Sequence, residues 1–310
     1  MGELDKNQAD KLVERLARKK FLDASNLERY DETSHSNHNF RTSQHFIKIE
    51  RYFNFRERIA AELAVSQEIN IKASTTELVD HGHINGYSYR IFRFEEGKSL
   101  DTSQEQSLED LETEKQAEKI REIGKSLAYI HESRSFESFG KIDTLDRKII
   151  GTSAENWREG LKDIQYFWHH QAGRDEIEKY REDIENYYSN RAELLNNVNE
   201  SVLLHQELGL HNILFDKDSV KVIDWESACA GDPLLDVIST EVILFWSSGI
   251  DEELKQVFRK GYREVRELNM DEELREIYRV VQLSRLLIVF SDDKEEISRV
   301  KQELDNILYN

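Results

Sequence analysis

The chain has 310 residues, 38% hydrophobic and 34% charged, with 14 Phe, 12 Tyr and 4 Trp, which supplies a sizeable core and argues against a disordered chain. A net charge of −19 argues against nucleic acid as a partner. No apolar run approaches the ~20 residues of a membrane span, the N-terminus has no secretory h-region, and the single cysteine, Cys229, allows neither an internal disulfide nor a cysteine zinc site, so a cytoplasmic protein with no membrane partner is expected.

Residues 3–22 read as an amphipathic helix, with Leu12, Val13, Leu16 and Ala17 on one stripe. The polar stretch 31–40 reads as a loop. His45 to Glu50, HFIKIE, reads as a strand with Lys48 between two isoleucines. Residues 53–69 read as a helix, 77–80 and 87–94 as strands, and 82–86 as the turn between them. Glu95-Glu96-Gly97 breaks the pattern and is placed as a hinge, followed by an acidic, solvated stretch to 115. Helices are expected at 117–131, 154–170 and 175–197, then at 233–246, 252–268, 273–290 and 294–308.

Between these helices lies the segment 203–236, LLHQELGLHNILFDKDSVKVIDWESACAGDPLLD. Three short strands are expected at 202–204, 213–215 and 220–223, with Asp224 at the end of the last. The order His205, Glu207, Asn212 and Asp224 fits a phosphoryl-transfer pattern, H-x-D-x-x-x-x-N followed by a strand-borne Asp. That chemistry needs a carboxylate facing a hydroxyl, an amide oxygen five residues on, and a second carboxylate brought over by a hairpin to hold the same divalent ion. Asn212 and Asp224 supply the oxygens that Mg²⁺ prefers. Ordinary turn chemistry would explain either residue alone; their joint register favours metal binding. His205 reads as a structural hydrogen-bonding histidine, Asp236 as a buried carboxylate holding the loop, and Trp225 as core. Cys229 in ESACAG has no adjacent histidine and reads as a small buried residue. Zinc on His205, Glu207 and His211 is excluded because the H-E-x-x-H helix pattern is absent.

HQELGLHNILFD and KVIDWESACAGDPLLD together resemble the aminoglycoside phosphotransferase and choline kinase group, through His205, Asn212-Ile213-Leu214, Ile223-Asp224-Trp225-Glu226, Gly231-Asp232-Pro233 and Asp236. The resemblance implies an α+β, bilobal protein-kinase-like fold, with a small antiparallel-sheet N-lobe at residues 1–96 and a larger, mostly helical C-lobe at 97–310. It implies ATP and Mg²⁺ as cofactors and transfer of the γ-phosphoryl group to a hydroxyl of an aminoglycoside-, choline- or sugar-like acceptor, with cationic acceptors among the candidates. In that frame Lys48 holds nucleotide phosphates and Glu62 positions it, with Glu57 as the alternative partner. Residues 34–40, including Asn37, resemble the nucleotide loop, although Asp31-Glu32-Thr33 stand where relatives carry glycine. The backbone around Phe94 to Glu96, with Glu95 at its centre, resembles the adenine-binding hinge.

One departure bears on activity. Glu207 stands where the group carries its catalytic Asp, and Gln206 where it carries Gly. Glu remains a competent proton acceptor, but its extra methylene moves the oxygens on a scale of ~1 Å, which can cost about a hundredfold in rate. Three readings follow: an active kinase with Glu207 as base, a nucleotide-binding pseudokinase, or an interaction protein retaining only the fold. Retention of Lys48, Asn212 and Asp224 favours the first two, and the first over the second. An acceptor pocket is expected between Glu207 and the helices at 154–197 and 233–290, with Trp157, Tyr166, Trp168, Glu226 and Trp246 as candidate linings suited to a cation.

Overall fold

The computed structural model describes residues 3–20, 22–23, 26–31, 37–51, 61–66, 74–101, 107–145, 148–172, 175–216, 219–246, 252–290 and 293–309, without side chains for 165–177. The first helix, α1 (Lys6–Lys19), starts at a capping box in which Asp5 and Gln8 satisfy each other's backbone N–H groups. Its stripe of Leu12, Val13 and Leu16 packs on Phe40, Ile47, Ile49 and Ile91.

Those residues belong to a five-stranded antiparallel sheet, built from β1 (Glu28–Asp31), β2 (Asn37–Arg41), β3 (His45–Glu50), β5 (Leu78–Ile84) and β6 (Tyr87–Arg93), in the order β1-β2-β3-β6-β5. The short β4 (Ser74–Thr75) joins a different sheet, and residues 61–66 are helical, labelled α2. Asn85 and Gly86, both at positive φ, close the β5–β6 hairpin as a two-residue turn of this kind requires. The expected loop at 31–40 is in part strand. β2 pairs with β3 residue for residue, Asn37 against Glu50 and Asn39 against Lys48. Its polarity concealed it because alternate residues share a face with Lys48 rather than with the apolar stripe.

Beyond the hinge come α3 (Thr113–Ser133), then a hairpin of β7 (Phe139–Leu145) and β8 (Lys148–Ala154) that the sequence reading lacks. Next are α4 (Trp157–Ala172), α5 (Asp175–Ser189) and α6 (Ala192–Asn196), which divide the expected helix 175–197. The central segment supplies β9 (Val202–Leu204), β10 (Ile213–Asp216), β11 (Ser219–Val222) and β12 (Cys229–Gly231), and α7 (Pro233–Trp246), α8 (Glu252–Arg263), α9 (Glu272–Val289) and α10 (Lys294–Tyr309) complete the chain. One small sheet has the order β8-β7-β12-β9, with β7 and β12 inside; β10, β11 and β4 form another. The lone proline opens α7, where its missing N–H costs nothing, and Asp232 accepts from the Leu234 N–H at 2.9 Å. Helices α3 and α8 touch at glycines. A Cβ on Gly124 would lie 2.2 Å from the Phe258 carbonyl oxygen, and one on Gly261 2.1 Å from that of Arg121.

The expected α+β arrangement is thus present, with an antiparallel sheet in the N-terminal region and a mainly helical C-terminal region.

Candidate active site

The pleat of β3 and β6 puts Ile47, Ile49 and Ile91 against α1 and turns Lys48 and Arg90 to the opposite face, where they are register partners. Lys48 is buried, and its Nζ lies 3.2 Å from Glu62 Oε1 on α2 and 2.9 Å from Asp224 Oδ1 after β11. Burial alone would lower the ammonium pKa, but Asp224 and Glu62 override it and hold the group charged. Asp224 is likewise held below the ordinary carboxylate range, burial opposing and Lys48 prevailing. Glu57, the alternative partner of Lys48, lies outside the described residues, as do residues 34–36 of the expected nucleotide loop.

The sequence reading missed Arg90. It is fully buried and donates from Nη1 to Glu62 Oε2, and from Nη2 to Asn37 Oδ1 and Glu50 Oε1, each at 2.8 Å. Glu226 Oε2 stands 3.9 Å from Nη1. Desolvation would lower the guanidinium pKa, but Glu62 and Glu50 raise it. One cation therefore fixes Glu62 from behind while Lys48 meets it from the front, and Asn37 is tied into the same group. The signal was an arginine sharing the face of Ser88 and Phe92 in YSYRIFRF, opposite Lys48. Glu95, the expected hinge residue, pairs through its side chain with Lys221 of β11.

Across the cleft, the loop 205–212 is fixed by Asp236. This carboxylate is fully buried on α7 and accepts from the backbone N–H of His205 (2.6 Å) and of Gln206 (2.8 Å). His131 Nε2 lies 3.3 Å away, with its Nδ1 on the Tyr262 hydroxyl. Burial works against Asp236's ionisation, but His131 and the loop N–H groups outweigh it and keep its pKa low. His205 has no catalytic reach: its Nε2 meets the Ile223 carbonyl at 3.0 Å, its Nδ1 faces the Glu207 N–H, and its ring packs edge-on against Trp225. Desolvation holds it neutral.

Two residues here occupy left-handed backbone, Gln206 at φ 71° and Asp224 at φ 65°. Such a conformation costs a non-glycine residue about 1–2 kcal/mol and persists only where the surroundings over-determine it. The glycine usual at position 206 has its physical reason here. Asn212 is buried, and its Nδ2 donates to the Glu207 carbonyl at 2.9 Å, leaving Oδ1 as the atom available to a ligand. The Glu207 carboxylate meets Arg285 on α9, whose other terminal nitrogen donates to the Gln206 carbonyl at 2.7 Å. Arg285 is the second residue the sequence reading missed. It and Gln282 stand one helical turn apart in the apolar run VVQLSRLL.

Glu207, Asn212, Asp224 and Arg285 line one cavity of about 340 Å³, with Asp101 and Glu109 from the stretch after the hinge and Trp246, Leu286 and Phe290 from the helices. Trp246 is where it was expected. Trp157 is instead buried core, donating to the Tyr278 hydroxyl at 2.7 Å. Glu226 lies behind the cleft beside Arg90, and the side chains of Tyr166 and Trp168 lie outside the described residues. Among the described residues, no group of three or more His, Cys, Asp or Glu side chains could hold a metal ion. Asn212 and Asp224 offer the one amide and one carboxylate oxygen that suit Mg²⁺, which takes few protein ligands and shares its sphere with phosphate and water.

This fold and cleft define a protein-kinase-like phosphotransferase. The chain belongs to the phosphotransferase enzyme family, whose model matches residues 30–277. No curated protein matches it in sequence. Among solved structures it is similar to an aminoglycoside phosphotransferase APH(4)-Ia in a ternary complex with AMP-PNP and hygromycin B, at 20% identity and TM-score 0.69, covering 96% of this chain and 97% of the other. A microcompartment-associated aminopropanol kinase gives 16% and 0.63, with coverages of 96% and 95%. A choline/ethanolamine kinase family protein from Mesorhizobium loti gives 14% and 0.60, with 97% of each chain covered.

Proposed function

We propose that the protein transfers the γ-phosphoryl group of ATP to a hydroxyl of a small acceptor of the aminoglycoside, choline or sugar type. The observation that supports this best is the unbroken line from Glu62 through Lys48 to Asp224, which ends in the cavity shared by Glu207 and Asn212. In this reading residues 1–96 form the nucleotide-binding lobe and 97–310 the lobe that brings the acceptor. Lys48, fixed by Glu62, binds nucleotide phosphates, and the hinge around Glu95 meets the base through its backbone. Asn37 acts through Arg90, holding the end of the nucleotide loop. Asn212 and Asp224 are the metal ligands; Mg²⁺, when bound, neutralises charge on the transferring group. Glu207 takes the acceptor's proton. Phosphoryl transfer depends mostly on positioning and charge stabilisation, so a displaced base is tolerated if it is held well.

Asp101 and Glu109 beside Trp246 and Phe290 favour an acceptor with a positive charge. The structural neighbours crystallised with hygromycin B or named for aminopropanol are consistent with amine-bearing alcohols. A Mg-ATP turnover screen against pooled amines, sugars and amino alcohols tests the proposal. ADP release dependent on one acceptor, lost in Asp224→Ala, is the expected result. The contact between Glu207 and Arg285 gives a second reading some support, that of a nucleotide-binding pseudokinase. It requires Mg-ATP to raise the melting temperature while no alcohol in the panel is phosphorylated.

A further inference from the structure

We propose that Arg285 is a positioning residue for the reaction, a clamp that allows Glu207 to serve where the shorter aspartate is usual; the inference rests on the kinase reading above. Two departures from the family pattern, Gln206 for Gly and Glu207 for Asp, meet here at one buried arginine that faces both. Gln206 is left-handed, and both of its backbone polar groups are held, the N–H by Asp236 and the carbonyl by Arg285. The second arm of the same guanidinium meets the Glu207 carboxylate. A planar fork that grips two adjacent groups fixes their relative position in a way a lysine cannot.

The geometry explains the longer acid. Arg285 comes from α9, on the wall of the acceptor cavity, while residues 205–206 hang from Asp236 on α7. A carboxylate one methylene shorter would retract from the guanidinium and lose the second of its two anchoring contacts beside the Gln206 carbonyl. A flexible glutamate without the arginine would lose its aim. Arginine and glutamate are therefore a matched pair, and restoring the family's aspartate is a loss unless the arginine is also removed. Leaving Gln206 in place, the two positions make a self-contained unit for mutational analysis.

The experiment is a double-mutant cycle of Arg285→Gln and Glu207→Asp, with Arg285→Lys as a third variant, followed by steady-state kinetics on the acceptor found in the screen and by thermal unfolding of the nucleotide-free protein. Arg285→Gln is expected to lower kcat ten- to a hundredfold while the KM for Mg-ATP stays within about twofold, because Lys48, Asn212 and Asp224 are untouched. Arg285→Lys recovers part of kcat. Glu207→Asp alone also lowers kcat, and the double variant is no worse than the poorer single one. The proposal is overturned if Arg285→Gln leaves kcat unchanged or raises it, or if Glu207→Asp raises kcat with Arg285 in place. A loss of kcat that merely follows loss of the fold is recognised by a Mg-ATP-induced melting shift that disappears with it, and this too overturns a positioning role. If the unaltered protein turns over no acceptor, the kinase reading fails. The positioning role falls with it, whereas strictly additive losses of kcat in a protein that does turn over overturn the positioning role alone.

Discussion

The two walls of the cleft are built on different principles. On the nucleotide side a buried lysine meets two carboxylates and a buried arginine backs one of them, so four charges are fixed in alternation by Lys48, Arg90, Glu62 and Asp224. On the acceptor side a single arginine reaches a carboxylate that lines an otherwise acidic cavity. In the proposed function the first wall carries the resemblance to the kinase pattern, and the second carries Glu207 in place of the expected Asp. The difference teaches what each wall must hold under the proposed function: an alternating charge network for phosphates on one side, and one aimed carboxylate for the acceptor hydroxyl on the other.

Breaking the first wall should have the largest effect. Asp224→Asn removes a charge from beside Lys48 and from the proposed metal site, and a loss of about a thousandfold in kcat is expected, the scale of a deleted charge-stabilising group; rapid-quench or coupled ADP release measures it. Arg90→Met should follow. It leaves Glu62 and Glu50 buried without their guanidinium, a change that costs about 3–5 kcal/mol, read as a lower urea midpoint at constant m-value. If Arg90→Met is neutral in stability, the arginine is not what holds Glu62.

The second wall is sharpened by smaller changes. Asp101→Asn should raise the KM for a cationic acceptor about two- to fivefold without altering kcat, since a solvent-screened charge contact is worth up to ~1 kcal/mol; an equal effect on a neutral acceptor would argue against cation recognition. The smallest effect concerns pH. Burial holds the pKa of His131 and His205 below the ordinary 6.5. Below that value the unfolded chain binds protons that the folded chain refuses, so stability present above about pH 6.5 is lost as the pH falls. Asp232, raised by burial to about 6, has the opposite sign, because the folded state takes up its proton first as the pH drops. Two histidines outweigh one aspartate, and the melting temperature should decline from pH 7 to pH 5. His131→Gln should make that decline shallower even if it lowers the melting temperature throughout.

The legible parts of the site were those with local grammar. Asn212 and Asp224 follow from spacing, Lys48 from a charge between two isoleucines on a strand, and Glu62 from the apolar residues after it. Arg90 and Arg285 have no such grammar, because what makes them special is the carboxylate each meets from a distant segment. Asn37 was picked for a loop and lies in a strand, since the pairing that orders it comes from β3. The hairpin β7–β8 was missed for a similar reason: KIIGTSA alternates poorly and is held by β7, which in turn pairs with β12.

Ser74 and Thr75 form parallel β pairs with Lys221 and Val222, and Thr75 accepts from the Trp225 indole at 2.9 Å. On a ribosome adding roughly 5–20 residues per second, the partner strand follows about 7–30 seconds behind. The five-stranded sheet can close its hairpins early, yet β4, between α2 and β5, must wait for most of the chain before it meets the strand that leads to Asp224. The nucleotide wall is therefore among the last parts of the protein to be completed, and a nascent chain halted after residue 200 should already hold its N-terminal sheet while remaining unable to retain nucleotide.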